Sequence, residues 1–318
     1  MTVKNGDSQQ WLVIVNPNAG RGRGLKDWSL ISSLLRKYDI PFHPEFTNAK
    51  KHAIDLTAGG IAKGYRKIIA VGGDGTMNEV VNGCFEQKVC SSKSLAIGMI
   101  TVGTGNDWGK MFGIPTDYKG SVRILKKEDT ILQDAGVVRY FIGEKQEKRF
   151  FINIAGLGFD ALVVRRTNAQ KDRGMGGKTL YFWNLLTSLI TYKHISTNIV
   201  IDGKKYNNKL FTMSLGIGKY SGGGMMQTPN AVPDDGLFDI TVIKKIGKGD
   251  VIRNLKMLYD GTILNHPKID GYTGKDVMIE TAEKPIHVEA DGESLGHSPI
   301  EFKIIPKCIN VVHNMQTK

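Results

Sequence analysis

The sequence predicts an α/β domain of the doubly wound kind followed by an all-β, sandwich-like domain. Three observations predict this. Up to about Gln133, short apolar runs alternate with stretches of helical period, the pattern of parallel strands covered by helices. Glycine-rich turns stand at the ends of several of those runs. After Gln133, short runs separated by turn residues take over, as in a sandwich or flattened barrel. The 318 residues suit two domains, at roughly 150 residues per domain. The boundary falls near 130–136, beside the charged stretch 126–129, and divides 1–134 from 135–306.

Residues 11–16 (WLVIVN) are continuously apolar and end at Pro17, as a strand buried on both faces would. A helix is expected over 25–38, with Leu30, Ile31, Leu34 and Leu35 on one face. Residues 41–47 read as a second strand and 51–64 as a helix closed by Gly64. The third strand, 67–71 (KIIAV), runs into a glycine-rich turn, with a helix over 77–85 and a fourth strand over 94–100. In the second domain, strands are expected at 134–142, 149–155, 198–201, 209–217, 237–243, 277–281, 285–290 and 300–305. Ile142-Gly143-Glu144 and Asp202-Gly203 are hairpin signals between them. Helices interrupt at 178–192 and 249–258.

Composition narrows the partners. There are 43 basic and 31 acidic residues, a net charge of +12, and the isoelectric point is near 9.4 with mean hydropathy −0.21. Such a charge suits nucleic acid, anionic headgroups or phosphorylated small molecules. No zinc-finger, RRM or KH signature appears, and the aromatics do not interleave with a basic stripe, so nucleic acid is not expected. The first ten residues are polar, so no signal peptide is expected. The longest apolar run, 179–192, is shorter than the roughly 20 residues of a membrane span and contains Asn184. Cys84, Cys90 and Cys308 form no CxxC, which suits reduced thiols in the cytoplasm. The seven histidines show no zinc spacing.

The strongest local feature is Val71-Gly72-Gly73-Asp74-Gly75-Thr76-Met77-Asn78-Glu79, at a strand-to-helix junction. Its glycines allow close approach and positive φ. The helix N-terminus offers N–H groups to phosphate, Thr76 is placed to cap it, and an acid among glycines suits a metal–nucleotide site. Read alone, it is equally an ordinary tight turn. Asn16-Pro17-Asn18-Ala19-Gly20 follows the first strand and Val102-Gly103-Thr104-Gly105-Asn106-Asp107 the fourth. Three such loops at the carboxyl ends of parallel strands would line one crevice. Arg21 and Arg23 are candidates to neutralise phosphate, or solvated side chains. Gly156-Leu157-Gly158-Phe159-Asp160-Ala161 fits a dinucleotide pattern without its ribose-binding acid, and reads as structural or as packing on the substrate side. Helix 180–190 reads as packing on the sandwich or as an apolar wall for an acyl chain. Residues 222–226 read as a mobile loop near it. Asp234-Asp235-Gly236-Leu237-Phe238-Asp239 is a solvated turn or a cation site. Asp291-Gly292-Glu293 is a plain turn, or carries a general base. Asp134, at the domain boundary, is a candidate for the same cleft.

Together these motifs resemble the diacylglycerol kinase catalytic family, closest in style to soluble bacterial lipid kinases, with sphingosine and ceramide kinases as relatives. The resemblance spans residues 16 to 293 and rests on NPNAGRGRG, VGGDGTMNEVVNG, GTGNDWGK, GLGFDA, PDDGLFD and the late DGE. Arg21 stands where many bacterial members carry lysine, and Ala19 where serine is common. The resemblance implies ATP- and Mg²⁺-dependent phosphorylation of a lipid hydroxyl, that of diacylglycerol or a related lipid, with the nucleotide site in the interdomain cleft. It implies that Asn16, Pro17, Asn18, Ala19, Gly20, Thr47, Gly72, Gly73, Asp74, Gly75, Thr76, Met77, Asn78, Glu79 and Thr104 bind ATP. Asp74, Asp107 and Asp134 would form an acidic network for Mg²⁺ and phosphate. Asp235, with the carbonyls of Val232 and Leu237, would hold a structural Mg²⁺. Asp291 and Glu293 would be the catalytic acids, Asp291 being favoured as base. The last segment, 307–318, would rejoin the first domain. A cytoplasmic enzyme visiting the membrane surface for its lipid follows, its positive charge drawn to phosphates and anionic lipid. The oligomeric state is open, a homodimer among the alternatives. Competing readings are an NAD kinase-like enzyme and a non-enzymatic basic nucleotide-binding protein.

Overall fold

The computed structural model describes residues 9–103, 105–171, 178–281 and 284–315. The chain divides into two compact units, Met1–Asp134 with Lys307–Lys318, and Ala135–Pro306.

The first unit contains β1 (Trp11–Val15), α1 (Ala19–Lys26), α2 (Trp28–Lys37), β2 (Phe42–Phe46), α3 (His52–Ala62), β3 (Lys67–Gly72), α4 (Asp74–Glu86), β4 (Ala96–Thr101), α5 (Asp107–Met111) and α6 (Tyr118–Lys127). Its parallel sheet has the order β2-β1-β3-β4. All five residues of β1 are buried because neighbours flank it on both sides and helices cover both faces. The sheet reverses its order at β1, so the loops after β1 and β3 leave at the topological switch point.

Several expectations shift here. The helix expected over 25–38 is two pieces, the end of α1 and all of α2, divided at Asp27 with φ of −92° and ψ of 0°; ahead of them Gly20, Arg21 and Gly22 adopt positive φ and kink α1. The buried face of α2 is Ile31, Ser32 and Leu35, while Leu30 is 52% exposed. Helix α4 starts at Asp74, earlier than expected, with Gly73 as its N-cap. Thr76 therefore lies within the first turn and does not cap. Helix α6 was hidden by its charged end. Asp117 caps it by accepting the Gly120 N–H at 2.7 Å, and Tyr118, Val122 and Leu125 form its buried face.

The second unit is antiparallel. β5 (Thr130–Ile142) leads into it, followed by β6 (Lys145–Phe151), β7 (Ile154–Gly158), α7 (Phe159–Lys171), α8 (Lys178–Thr191), β8 (Ile195–Ile201), β9 (Lys204–Gly216), β10 (Tyr220–Ser221) and β11 (Met225–Met226). Then come β12 (Phe238–Lys244), α9 (Lys248–Arg253), α10 (Met257–Asp260), β13 (Ile269–Gly274), β14 (Asp276–Thr281), β15 (His287–Ala290) and β16 (Glu293–Val312). β9 pairs first with β8 and then with β7, and β16 pairs with both β15 and β14. With β7 on β15 and β14 on β8, the pairing closes on itself. Phe151, Leu157, Met213, Phe238, Ile279 and Phe302 fill the interior among other apolar side chains. The Asp202-Gly203 hairpin has φ of 46° and 80°, as a two-residue turn of the primed type requires.

The strand expected at 149–155 is instead two strands, β6 and β7. The break at Ile152-Asn153 exists because their N–H groups bond a side chain rather than a neighbouring strand. β13 was missed because Gly271, Gly274 and Asp270 read as turn residues; it is held by its ladder to β12. The end of β16 belongs to the first unit, where Asn310 and Val311 run parallel to Ala96 and Ile97 of β4.

Candidate functional site

In the first unit the loops after β1, β3 and β4 touch backbone to backbone. The Asn16 N–H donates to the Val71 carbonyl at 3.0 Å. Asn16 Nδ2 donates to Thr76 Oγ1 at 3.0 Å and its Oδ1 accepts the Asn18 N–H at 3.0 Å, so one side chain ties the β1 loop to α4. A Cβ on Gly103 would lie 2.7 Å from Gly73 Cα, and one on Gly72 would collide with Thr76. Close approach therefore demands these glycines, since Gly72, Gly73 and Gly103 do not adopt positive φ. Gly20 meets both demands, with φ of 59° and no room for a Cβ beside the Val102 carbonyl oxygen. Gly20→Ala is expected to open the β1 loop from the β4 loop and cost about 1–3 kcal/mol. Denaturant unfolding checks this, and unchanged stability with unchanged nucleotide affinity would contradict it.

The acids sort into two groups. Asp74 and Asp107 both face Gly105, where a Cβ would lie 3.1 Å from Asp74 Oδ2 and 3.3 Å from Asp107 Oδ2. Asp74 Oδ1 accepts the Trp108 N–H at 3.0 Å. Burial pushes the Asp74 carboxyl up, and N–H groups from Trp108, Asp107, Asp74 and Asn106 oppose it. Asp134 is fully buried, and its Oδ1 accepts the Lys307 N–H at 2.6 Å, pinning the returning chain. Trp108 Nε1 donates to Gln133 Oε1 at 3.1 Å, which links the loop bearing Asp107 to the segment bearing Asp134.

The other expected nucleotide residues divide similarly. Asn16, Pro17, Asn18, Ala19, Gly20, Gly72, Gly73, Gly75 and Thr76 sit in the loops or in the first turn of α4. Thr47 follows β2 and donates its N–H to the Val15 carbonyl. Met77 and Asn78 are buried in the unit, Asn78 accepting from Asn82. Glu79 accepts the N–H groups of Lys51 and Ala53 at 2.9 and 3.2 Å, so its carboxylate holds the start of α3. Arg23 bonds Asp27 and the Tyr118 hydroxyl. Thr104 lies outside the described residues.

In the second unit, Asp235 Oδ1 accepts the Leu237 N–H at 2.9 Å. Val232, Asp235 and Leu237 line one cavity together with Asp239, the last acid of the PDDGLFD turn. Burial raises the Asp239 carboxyl, and Asp235 adds to the shift. Two carboxylates beside a turn are an oxygen-rich donor set that fits a hard divalent cation completed by water. Among the described residues no three metal-ligating side chains converge.

A second, mostly apolar pocket opens beneath α7, α8, α9 and α10. Phe159, Leu185, Phe211, Met225, Ile243 and Leu258 supply apolar wall, and Asp160, Ser214 and Gln227 form a polar patch. Asp160 Oδ2 accepts from the Ser214 hydroxyl at 3.3 Å and from Gln227 Nε2 at 3.0 Å. Burial pushes Asp160 up to about 6, against the hydrogen bonds from Thr212, Ser214 and Gln227. The acid stood in the GLGFDA motif; the missing signal was that a helix begins at Phe159 and carries Asp160 in its first turn.

Asp291 and Glu293 follow β15. Asp291 adopts φ of 49°. Its Oδ2 accepts the Ile152 N–H at 3.0 Å, and its Oδ1 accepts those of Asn153 and Ile154 at 3.0 and 3.2 Å. Both carboxylate oxygens thus fill the gap between β6 and β7. Glu293 is half-buried at the start of β16.

Two family models match the chain: the diacylglycerol kinase catalytic domain over residues 10–138, and the YegS C-terminal NAD kinase beta sandwich-like domain over 153–313. The chain is 30% identical over 303 residues to a diacylglycerol kinase of Bacillus subtilis, covering 94% of this chain and 95% of the relative. It is 31% identical over 303 residues to one of Staphylococcus carnosus, covering 94% and 93%. In fold it is similar to the crystal structure of a diacylglycerol kinase from Bacillus anthracis, with a TM-score of 0.71 at 24% identity, over 96% of this chain and 97% of that one. A weaker likeness, in fold alone, is to yeast NADH kinase, with a TM-score of 0.52 at 10% identity over 97% and 84%.

Proposed function

The chain belongs to the diacylglycerol kinase family, phosphotransferases with an alcohol group as acceptor, and from that membership we propose that it transfers the γ-phosphoryl group of ATP, with Mg²⁺, to the hydroxyl of a diacylglycerol-like lipid. One observation carries the lipid reading. The unit that bears Asp291 and Glu293 also bears a mostly apolar pocket with a carboxylate in its wall. Such a pocket accepts acyl chains and leaves one polar end to orient a hydroxyl. The likeness to NADH kinase lies in the fold and does not supply this feature.

The first unit provides the phosphate site. The N–H groups at the start of α4 are placed for phosphate oxygens, with Asn16–Gly20 forming the facing loop and Thr47 and Thr76 beside it for the rest of the nucleotide; Thr104 is assigned to it from the family resemblance alone. Asp74 and Asp107, close together at Gly105, are the groups that would hold Mg²⁺ against the phosphates. When bound, that cation neutralises charge on the transferring phosphoryl group. Asp235, with Val232 and Leu237 and now Asp239, would hold a second, structural Mg²⁺. Asp134 acts through the chain it pins rather than on the nucleotide.

The second unit provides the acceptor side. The Asp291 carboxylate is bonded to three backbone N–H groups, which stabilise its charged form and make it a poor base. Glu293 is therefore the proton acceptor for the lipid hydroxyl, and Asp291 shapes the turn that carries it. Among the described residues no helix is long and apolar enough to cross a membrane. The net charge of +12 supports attraction to an anionic membrane surface, where the lipid resides.

The test offers labelled ATP with diacylglycerol, a hydroxyl-bearing phospholipid, a sphingoid base or NAD, with the products separated by chromatography. Label in the diacylglycerol product is expected. Label confined to NAD, or to no acceptor, would overturn the reading.

A further inference from the structure

Glu289, on β15, is a buried carboxyl group that the transfer described above does not use. Its Oε2 accepts the Gly292 N–H at 2.9 Å. The carbonyl oxygen of the same glycine accepts Asn168 Nδ2, from α7, at 3.1 Å. Both polar ends of Gly292, the middle residue of Asp291-Gly292-Glu293, are therefore gripped from outside the turn. The other oxygen of Glu289 lies against Gly156, where a Cβ would stand 2.7 Å from Oε1 and 3.3 Å from Asp160 Cβ. A glycine at 156 thus leaves Glu289 room to reach from the pocket wall to the turn.

We propose that Glu289, with Asn168, is a positioning residue for Glu293: it fixes the Gly292 peptide and so aims the Glu293 carboxylate at the hydroxyl of a lipid held beside Asp160. This rests on Glu293 being the proton acceptor. Burial raises Glu289 well above the usual carboxylate range, and Asp160, Asp291 and Glu293 push the same way. The hydrogen bond, not the charge, is what it contributes.

The test compares Glu289→Ala, Glu289→Gln and Asn168→Ala in the full chain with diacylglycerol and ATP, at a temperature where each is folded by thermal melting. Glu289→Ala is expected to lower kcat by about 10–100-fold, the cost of a misplaced catalytic group, with both KM values within about 3-fold of wild type. Asn168→Ala releases Gly292 from the other side without disturbing the buried carboxyl, and should also act on kcat rather than KM. Glu289→Gln keeps an acceptor oxygen for the Gly292 N–H and should recover kcat to within about 3-fold, with the wild-type pH profile. A folded Glu289→Ala enzyme with wild-type kcat would overturn the proposal, since a purely structural role moves only the melting temperature. So would a Glu289→Gln enzyme as slow as Glu289→Ala. Glu293→Gln is run beside them. If it is inactive while Glu289→Ala is not, positioning alone fails; if Glu293→Gln keeps full activity, the base assignment and the proposal fall together.

Discussion

Glu293→Gln is expected to lower kcat by about 10²–10⁴-fold, the usual worth of a positioned general base, with the KM for ATP and the unfolding midpoint near wild type. Asp291→Asn is expected to behave differently. It places an NH₂ group, or at best one acceptor oxygen, where two oxygens now receive N–H groups from Ile152, Asn153 and Ile154. Unsatisfied buried donors cost about 1–3 kcal/mol, so this variant loses stability in the second unit as well as activity. The two are distinguished by denaturant unfolding run beside steady-state kinetics, and by the pH dependence of kcat. The acid limb of the wild-type profile should vanish in the residual rate of Glu293→Gln and persist in that of Asp291→Asn. An inactive Asp291→Asn enzyme of wild-type stability, beside an active Glu293→Gln enzyme, would return the base to Asp291.

The proposed exchange of roles between these two acids shows where a sequence stops being readable. Three of the parallel strands of the first unit, β1, β3 and β4, are legible because each is a local apolar run ended at or near Pro or Gly, whereas β2 (FHPEF) carries His43 and Glu45. The close-contact glycines are legible because no other residue tolerates such positions. What decides between Asp291 and Glu293 is a set of bonds from Asp291 to residues 137 to 139 positions earlier. No local pattern encodes that separation. The same holds for Glu79, which looked like part of a phosphate loop and instead holds α3 across 28 and 26 positions. Asp160 and Glu289 went unassigned because an acid in a run of strand or helix residues looks solvent-facing until packing shows it buried. Helices α6 and α7 were obscured by charge and by a glycine motif, and tertiary contacts formed them regardless. Fold signals are local in this chain, and site signals largely are not.

Asp160→Asn is expected to stabilise the protein and impair it together. The folded state holds the Asp160 proton more tightly than the unfolded chain, at about 6 against an ordinary 3.8, because burial disfavours the charge. Its contribution to stability is therefore complete below the unfolded value and is lost as pH rises through 6. At 1.36 kcal/mol per unit, the loss is about 3 kcal/mol. An asparagine does not titrate, and its oxygen still accepts from Ser214 and Gln227. The variant should thus gain stability relative to wild type between pH 4 and pH 7, measured by urea unfolding at both ends. A stability difference that is the same at both pH values would show that Asp160 does not carry this penalty. A buried charge kept at such expense points to use. In the pocket wall, its proposed use is to accept a hydrogen bond from the lipid hydroxyl. Losing a hydrogen bond to a charged group is worth about 1.5–3 kcal/mol, so kcat/KM for the lipid should fall by roughly 10–100-fold while the KM for ATP stays put. A more stable variant with undiminished lipid turnover would leave the pocket without its polar anchor, and the acceptor hydroxyl would have to be held elsewhere.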